Sequence, residues 1–157
     1  MIIDKSNGTI TVNSEFRLDT KLTLSNFVAS PDFRNWTLVG QSGTIYRRDS
    51  EDYEKRILTI WTTFFREKLQ YILVSFFLPH EKNRRICERS SQWKGIDINR
   101  ERLHEQILVN DLGSPPYEYA WGSIMIGGSN IDPCLAISVN YNLNIKHDPT
   151  LMVKGFG

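Results

Sequence analysis

The chain has 157 residues, of which 40% are hydrophobic and 24% are charged, a size and composition typical of one soluble globular domain. Its 19 Lys and Arg residues nearly balance its 18 Asp and Glu residues, and the net charge of +1 provides no overall field that would gather nucleic acid or an anionic membrane. Charge therefore predicts neither kind of binding, and any such site would have to be local.

The cysteines and the first residues predict the compartment. Cys87 and Cys134 fit no metal-ligand spacing, and small secreted domains usually contain more cysteines, so we expect free thiols in a reducing environment. The opening sequence MIIDKSNG lacks a basic segment followed by an apolar core, so no secretory signal is predicted. A cytoplasmic location is the resulting expectation.

Two short elements are predicted near the amino terminus. The dipeptide Asn7-Gly8 is a strong turn signal and predicts a hairpin within residues 1–18. Thr23 is a suitable N-cap for a short helix that Pro31 ends. Because such a helix is marginal by itself, we expect it to bury apolar residues against a sheet. Leu24, Phe27 and Val28 are predicted on one side of the helix, and the residues expected to be buried are Phe27 with Phe33 or Trp36.

The next segment combines a turn signal with a run of charges. Ser42-Gly43 predicts a hairpin between strands 37–41 and 44–47, the outer one at a sheet edge. The sequence RRDSEDYEKR over residues 47–56 is nearly all charged and predicts a solvated loop. The alternative is an acidic lip that a cationic partner could contact. Its carboxylates are Asp49, Glu51, Asp52 and Glu54.

A central hairpin is predicted over residues 56–78. Two arms rich in β-branched and aromatic residues, 57–65 and 69–78, meet at the charged turn Arg66-Glu67-Lys68. Three ionisable groups at the midpoint exclude a membrane span of similar length. Trp61 and Phe65 point to one side, with apolar residues also on the other, so we expect both faces to be covered.

Residues 79–95 are polar and aperiodic and predict a long loop of the kind that is often functional. Arg84, Arg85 and Trp93 are its candidate binding residues. Nucleic-acid binding is not expected here, because stacking modules usually carry several aromatics on strands. We interpret Trp93 as an anchor that pins the loop to the core.

The clearest helical pattern covers residues 99–112, with Asp97 or Asn99 as its cap and Gly113 as its end. His104 is predicted at the boundary of its apolar stripe. The apolar positions are Leu103, Ile107 and Leu108, and the positions predicted to face water are Arg100, Glu101 and Glu105.

The last hairpin is predicted from strands 117–126 and 134–141. Gly122 indicates a bulge or a close backbone approach. Alternation in the second strand places Ala136, Ser138 and Asn140 on a side that we expect to face solvent. The Gly-rich connection joins two strands and lacks the lysine of a P-loop, so it predicts no phosphate site. Residues 142–157 are expected to form a loosely held tail.

Catalytic motifs are absent from the sequence. No HExxH, GxSxG, CxxC or GxGxxG pattern occurs, so metal and triad chemistry lack their usual anchors. A nucleophile at Cys87 with His80 or His104 is the formal enzyme alternative, because triads assemble in space. The other alternative is a structural domain that encloses a small apolar ligand.

One resemblance involves the last third of the chain. A helix ending at Leu112-Gly113, the sequence YEYAWG over residues 117–122, a loop with Ile131-Asp132 and the closing strand 137–141 resemble small bacterial immunity proteins of contact-dependent growth inhibition and related polymorphic toxin systems. The resemblance implies a cytoplasmic protein that occludes a toxin domain, without cofactor or catalysis. The near-neutral charge departs from the acidic profile expected for inhibiting a basic nuclease.

The sequence therefore predicts a single α+β domain over residues 1–157, a mainly antiparallel sheet of successive hairpins with two principal helices. We interpret it as a non-catalytic protein-binding module of the immunity type, with no cofactor, no metal, no membrane contact and no nucleic acid. The predicted partner-binding residues are Asp49, Glu51, Asp52, Glu54, Arg84, Arg85 and Trp93.

Overall fold

The computed structural model describes residues 2–11, 16–39, 43–53, 56–77, 94–127 and 136–141, and gives the backbone alone for residues 50–53 and 94–99. The strands in these ranges are β1 (Ile2–Ile3), β2 (Ile10–Thr11), β3 (Arg17–Leu18), β4 (Thr37–Leu38), β5 (Ile45–Tyr53), β6 (Arg56–Phe65), β7 (Lys68–Phe77), β8 (Glu118–Tyr119), β9 (Gly122–Gly127) and β10 (Ala136–Tyr141). The helices are α1 (Leu24–Ala29), a 3-10 helix (Pro31–Asn35) and α2 (Lys94–Leu112).

Seven strands form one antiparallel sheet in the order β4-β5-β6-β7-β10-β9-β8, and β1, β2 and β3 form a smaller antiparallel sheet. This arrangement with two α-helices confirms the predicted α+β fold. The predicted central hairpin is β6 and β7, inside the large sheet. The predicted edge strand is β4, at one end of the strand order.

The turn between β6 and β7 is tight and is held by the start of α1. Arg66 and Glu67 both have positive φ, 45° and 69°, the combination that matches the twist of a two-residue hairpin. The Leu24 N–H donates to the Glu67 carbonyl at 2.9 Å, and the Ser25 hydroxyl donates to the Glu67 carboxylate at 2.7 Å. The hairpin therefore fixes where α1 begins.

One face of the large sheet, the core face, packs against an aromatic cluster around Phe27. The α1 helix is capped as predicted, because the Asn26 N–H donates to the Thr23 hydroxyl at 3.1 Å. The Phe27 side chain is fully buried, and five aromatic rings lie with centroids 5.1 to 6.1 Å from its own. They belong to Phe16, Phe33, Trp36, Tyr46 and Phe64. Val28, on the same predicted side of the helix as Phe27, is 43% exposed.

The α2 helix closes another part of the core face with Leu108 and Leu112. Its backbone is already helical at Lys94, so neither Asp97 nor Asn99 caps it, because both lie inside the helix. Arg100 was expected to face water but is 9% exposed, with its guanidinium 4.5 Å from the centroid of the Phe77 ring. The aromatic surface of the sheet thus buries the arginine side chain.

Residues 47–53 of the charged segment predicted as a loop over residues 47–56 belong instead to the long strand β5, which is paired with β6, and Arg56 begins β6. Alternation directs Arg48 to the core face and Arg47 and Asp49 to the opposite face. Among the described side chains of this strand, Arg48 pairs with Asp32, and Arg47 pairs with Asp49. These neutralised charges allow a polar sequence to run through the sheet.

The closing hairpin also departs from prediction. The arm expected over residues 117–126 turns at Ala120-Trp121 and gives two strands, β8 and β9. Gly122 makes the predicted close approach, because a Cβ atom there would overlap the Asn140 carbonyl oxygen. The side of β10 predicted to face solvent is mostly buried, with Ala136 at 0% and Ser138 at 3% exposed. Both faces of β10 are therefore covered.

The amino-terminal hairpin docks onto the closing strands. Its connection is wider than the predicted two-residue turn, since the Asp4 N–H donates to the Thr9 carbonyl and the Gly8 N–H donates to the Asp4 carbonyl. The buried Tyr141 hydroxyl donates to the Gly8 carbonyl at 2.8 Å. The Trp121 indole N–H donates to the Lys5 carbonyl, also at 2.8 Å. These bonds join the two ends of the described chain.

Candidate functional site

The face of the large sheet opposite the core carries a cluster of aromatic and basic side chains. Trp61 and Phe65 lie on this side of β6 because alternate residues of a strand point to opposite faces. Strand register places Arg47 beside Trp61 and Lys68 beside Phe65. We call the cluster the basic–aromatic patch. It consists of Arg47, Trp61, Phe65, Arg66, Lys68 and Tyr71.

Arg47 stands at one end of the patch, between an aromatic ring and a carboxylate. Its guanidinium carbon is 5.4 Å from the centroid of the Trp61 ring, within the range of a cation–π contact. Its Nε and a terminal nitrogen donate to the two oxygens of Asp49 at 3.0 and 2.9 Å. The Arg47 side chain nevertheless keeps 40% of its surface exposed.

Asp49, one of the predicted contact residues, is fully engaged in this arrangement. Besides both nitrogens of Arg47, its Oδ1 accepts the Thr59 hydroxyl at 2.8 Å. Its side chain is 30% exposed. The Asp49 charge is therefore neutralised within the sheet, which reduces what it can contribute to an external cation.

Trp61 carries a polar group without a partner in the described residues. Its indole Nε1 is buried, and none of the described residues accepts a hydrogen bond from it. Leaving a buried donor unpaired costs roughly 1–3 kcal/mol.

The other end of the patch lies at the β6–β7 turn. The Arg66 guanidinium carbon is 5.2 Å from the centroid of the Phe65 ring, which places this cation on the same face as Arg47. Arg66 and Lys68 are both exposed. Two arginines are thus supported by aromatic rings on one strand, with a lysine beside them.

Tyr71 connects the patch to the middle of the sheet. Its hydroxyl donates to the Ser138 hydroxyl at 2.9 Å. Burial raises the pKa of Tyr71, and this hydrogen bond offsets only part of the increase in pKa. The phenol therefore stays neutral. Beside it, Leu73 and Ala136 are 2% and 0% exposed but stand outside the main core cluster, so they form a second, smaller apolar set on this face.

The structure brings together few of the predicted binding residues. Glu51 and Asp52 lie in β5, where the backbone alone is described. Glu54, Arg84, Arg85 and Trp93 lie outside the described residues, as do Cys87, Cys134 and the tail 142–157. The predicted sites at these positions stay predictions.

His104 is the histidine in the described ranges, and it lies in the core. It was expected at a boundary but is 0% exposed, and its Nε2 accepts the Phe76 N–H at 3.3 Å. Its Nδ1 has no partner among the described residues. Burial, assisted by the positive charges of Arg100 and Arg56, lowers the pKa of His104 to about 4. The ring is neutral and packs as a core residue.

The described ranges contain neither a cluster of metal-ligating side chains nor a helix that could span a membrane. No three His, Cys, Asp or Glu side chains there are grouped so that they could hold a metal ion. None of the helices in those ranges has the length and apolar character needed to cross a membrane. The exposed, chemically distinctive feature of the described sheet is thus the basic–aromatic patch.

Comparison with known proteins adds one finding. No protein family matches the sequence, and no curated protein matches it. The fold is similar to a chain in a solved structure titled "Rhs1-CT in complex with cognate immunity protein RhsI1", with a TM-score of 0.57 and 15% sequence identity. The match covers 97% of this chain and 93% of that chain. The chain shares its fold with a component of this complex.

This similarity extends over nearly the whole chain, whereas the resemblance in the sequence was confined to its last third. At 15% identity it is evidence about the fold. The α+β arrangement of hairpins and two helices is accordingly one that occurs in a complex containing an immunity protein.

Proposed function

We propose that this protein is an immunity protein that binds a cognate toxin domain and neutralises it by occluding its active surface. It acts without catalysis and without a cofactor, in the cytoplasm of the cell that makes it. The toxin would belong to a contact-dependent growth inhibition system or a related polymorphic toxin system. The observation that carries the proposal is the fold shared with a chain of the Rhs1-CT complex over 97% of this chain.

Two further observations support a binding role. His104, the described histidine, is buried and neutral with its ring against Phe76, where it serves packing. The exposed Arg66 lies over the Phe65 ring on a sheet face, with Lys68 beside it, and arginine next to aromatic side chains is typical of protein–protein contacts. An exposed charged group next to an aromatic surface is better suited to binding another protein than to catalysing a reaction.

The predicted contacts belong to this proposal as well. Glu51, Asp52 and Glu54 would pair with lysines or arginines of the toxin domain. Arg84, Arg85 and Trp93 would form an anchored rim around the contact.

Co-expression tests the proposal. The tagged toxin domain, taken from the C-terminal end of the protein encoded immediately upstream, is produced together with this chain and purified on its tag. We expect this chain to co-purify at equal stoichiometry and to stay bound through gel filtration. An unrelated toxin domain serves as the control and should retain none. Absence of a complex with the upstream-encoded domain would contradict the proposal.

A further inference from the structure

Two arginines on one face of the sheet are held against aromatic rings of the same strand. Arg47 lies on Trp61 at 5.4 Å and Arg66 on Phe65 at 5.2 Å from the ring centroids. Trp61 and Phe65 are four residues apart on β6, which separates their Cα atoms by about 13 Å at the usual rise of a strand. The two cations therefore point outward from a common surface.

The charge of this surface differs from that of the whole chain. Arg47, Arg66 and Lys68 bring three positive charges to it. Among the described side chains of the same face, Asp49 is the carboxylate that opposes them, and its pairing with Arg47 leaves Arg66 and Lys68 as the uncompensated positive charges. The chain as a whole has a net charge of +1, so the positive charge of the patch is a local feature.

Stacking prepares these arginines for binding. A guanidinium that rests on an aromatic ring has fewer conformations to lose when a partner arrives. The Arg66 guanidinium can donate to a carboxylate of that partner, whereas two nitrogens of Arg47 already donate to Asp49. Arg, Trp and Tyr are also the residue types that dominate the energy of protein interfaces. Arg66 has no ion-pair partner among the described residues, so its charge is available.

We infer that the basic–aromatic patch is the surface that contacts the toxin domain, and that it binds an acidic region of that domain through Arg66 and Lys68, beside the Arg47–Asp49 pair. The inference rests on the proposed immunity function and adds the contact surface and the chemistry of the partner. The aromatic rings of Trp61, Phe65 and Tyr71 supply the apolar centre, and the cations supply orientation. Carboxylates of the toxin domain are the groups recognised.

Charge-reversal variants test whether this surface, and not another part of the protein, binds the toxin domain. Arg66→Glu and Lys68→Glu are combined in one variant, because both side chains are exposed and neither supports the core. The matched control combines Arg34→Glu and Arg102→Glu, which change the charge equally on exposed positions of the 3-10 helix and of α2. Circular dichroism and urea unfolding establish that both variants are folded.

The binding constant of each variant for the upstream-encoded toxin domain is then measured by titration calorimetry. We expect at least about a tenfold loss of affinity for the patch variant and less than about a twofold change for the control. Added salt should weaken the wild-type complex, because exposed ion pairs are screened.

The possible results distinguish the inference from the function on which it rests. If the patch variant binds as tightly as the wild type, the inference is overturned while the immunity function stands. If the wild type does not bind the domain, both are overturned. If the wild type instead binds a single-stranded oligonucleotide and the patch variant releases it, the patch is a nucleic-acid site and the inference is equally overturned.

Discussion

The Arg48 guanidinium and the Asp32 carboxylate form an ion pair on the core face of the sheet, with side chains only 11% and 16% exposed. Asp32 also accepts the Trp36 indole N–H and the Asn35 amide, each at 2.9 Å. Partial burial alone would raise the pKa of Asp32, but these hydrogen bonds and the Arg48 charge lower it. The pair fastens the middle of β5 to the 3-10 helix.

Arg48→Ala should therefore destabilise the protein by about 3 kcal/mol, because it leaves a largely buried carboxylate without its counter-ion. Urea unfolding monitored by fluorescence gives the change in the free energy of unfolding. Arg34→Ala, at an exposed position of the 3-10 helix, should change it by less than about 0.5 kcal/mol.

The double variant Arg48→Ala with Asp32→Ala completes the comparison. Because both charges are then removed, it should lose less stability than the sum of the two single variants. Exact additivity of the two single changes would show that the residues do not interact.

Local signals explain which parts of the fold were predictable from sequence. The turn at Arg66-Glu67 and the Thr23 cap depend on a few adjacent residues, and both predictions are confirmed. The strand character of residues 47–53 depends on Asp32 and Trp61, which are distant in the sequence. Charge counted along the chain could not reveal partners that the fold brings together.

The position of His104 makes stability depend on pH. Its pKa is about 4 in the folded protein against an ordinary value of 6.5, so unfolding takes up a proton between these pH values. The neutral His104 therefore contributes stability at pH 7 that is lost as the pH falls from about 6.5 toward 4. Roughly 2 kcal/mol of the free energy of unfolding is lost at pH 5. Urea unfolding at pH 7 and pH 5 measures the difference.

A His104→Gln variant provides the control for this dependence. Its amide oxygen can accept the Phe76 N–H but takes up no proton in this range. The variant should lose clearly less stability between pH 7 and pH 5 than the wild type. An equal loss in both proteins would assign the acid sensitivity to other groups.

Gly8 and Gly43 form a matched pair for testing the amino-terminal hairpin. Both have positive φ, 74° and 68°, but a Cβ atom at Gly8 would lie 2.5 Å from a ring carbon of Trp121, whereas nothing lies within 4 Å at Gly43. Gly43→Ala should cost about 1 kcal/mol from backbone strain alone. Gly8→Ala should cost at least about 2 kcal/mol more, because overlap with the ring adds to that strain.

Thermal unfolding of the two alanine variants measures this difference. Near-ultraviolet circular dichroism of the Gly8→Ala variant should also show a changed tryptophan signal. Equal melting temperatures would mean that the hairpin does not pack on Trp121.

The central hairpin should carry much of the stability. Phe64 is 2% exposed and its ring lies 5.1 Å from that of Phe27, so Phe64→Ala should cost about 3–5 kcal/mol. Met125, which is 54% exposed on β9, provides a control whose replacement by alanine should cost less than about 0.5 kcal/mol. A Phe64→Ala protein as stable in urea as the parent would contradict the core described above.

The candidate surface was only partly visible in the sequence. Alternation on β6 places Trp61 and Phe65 on one side, which was the available signal. It did not reveal that Arg47 and Arg66 stack on these rings, since that depends on pairing with β5 and on the turn geometry. Asp49 was selected for its charge, but its engagement with Arg47 and Thr59 is a property of the folded sheet.

The most direct test of the immunity function is bacterial growth during production of the upstream-encoded toxin domain. Viable counts are compared in cells that carry this chain, its Arg66→Glu and Lys68→Glu variant, or an empty vector. We predict that the wild-type chain restores growth to the level of uninduced cells, while the empty vector gives none and the variant protects less. No protection by the wild-type chain, present and folded in the same cells, or growth arrest caused by this chain alone, would contradict the immunity function.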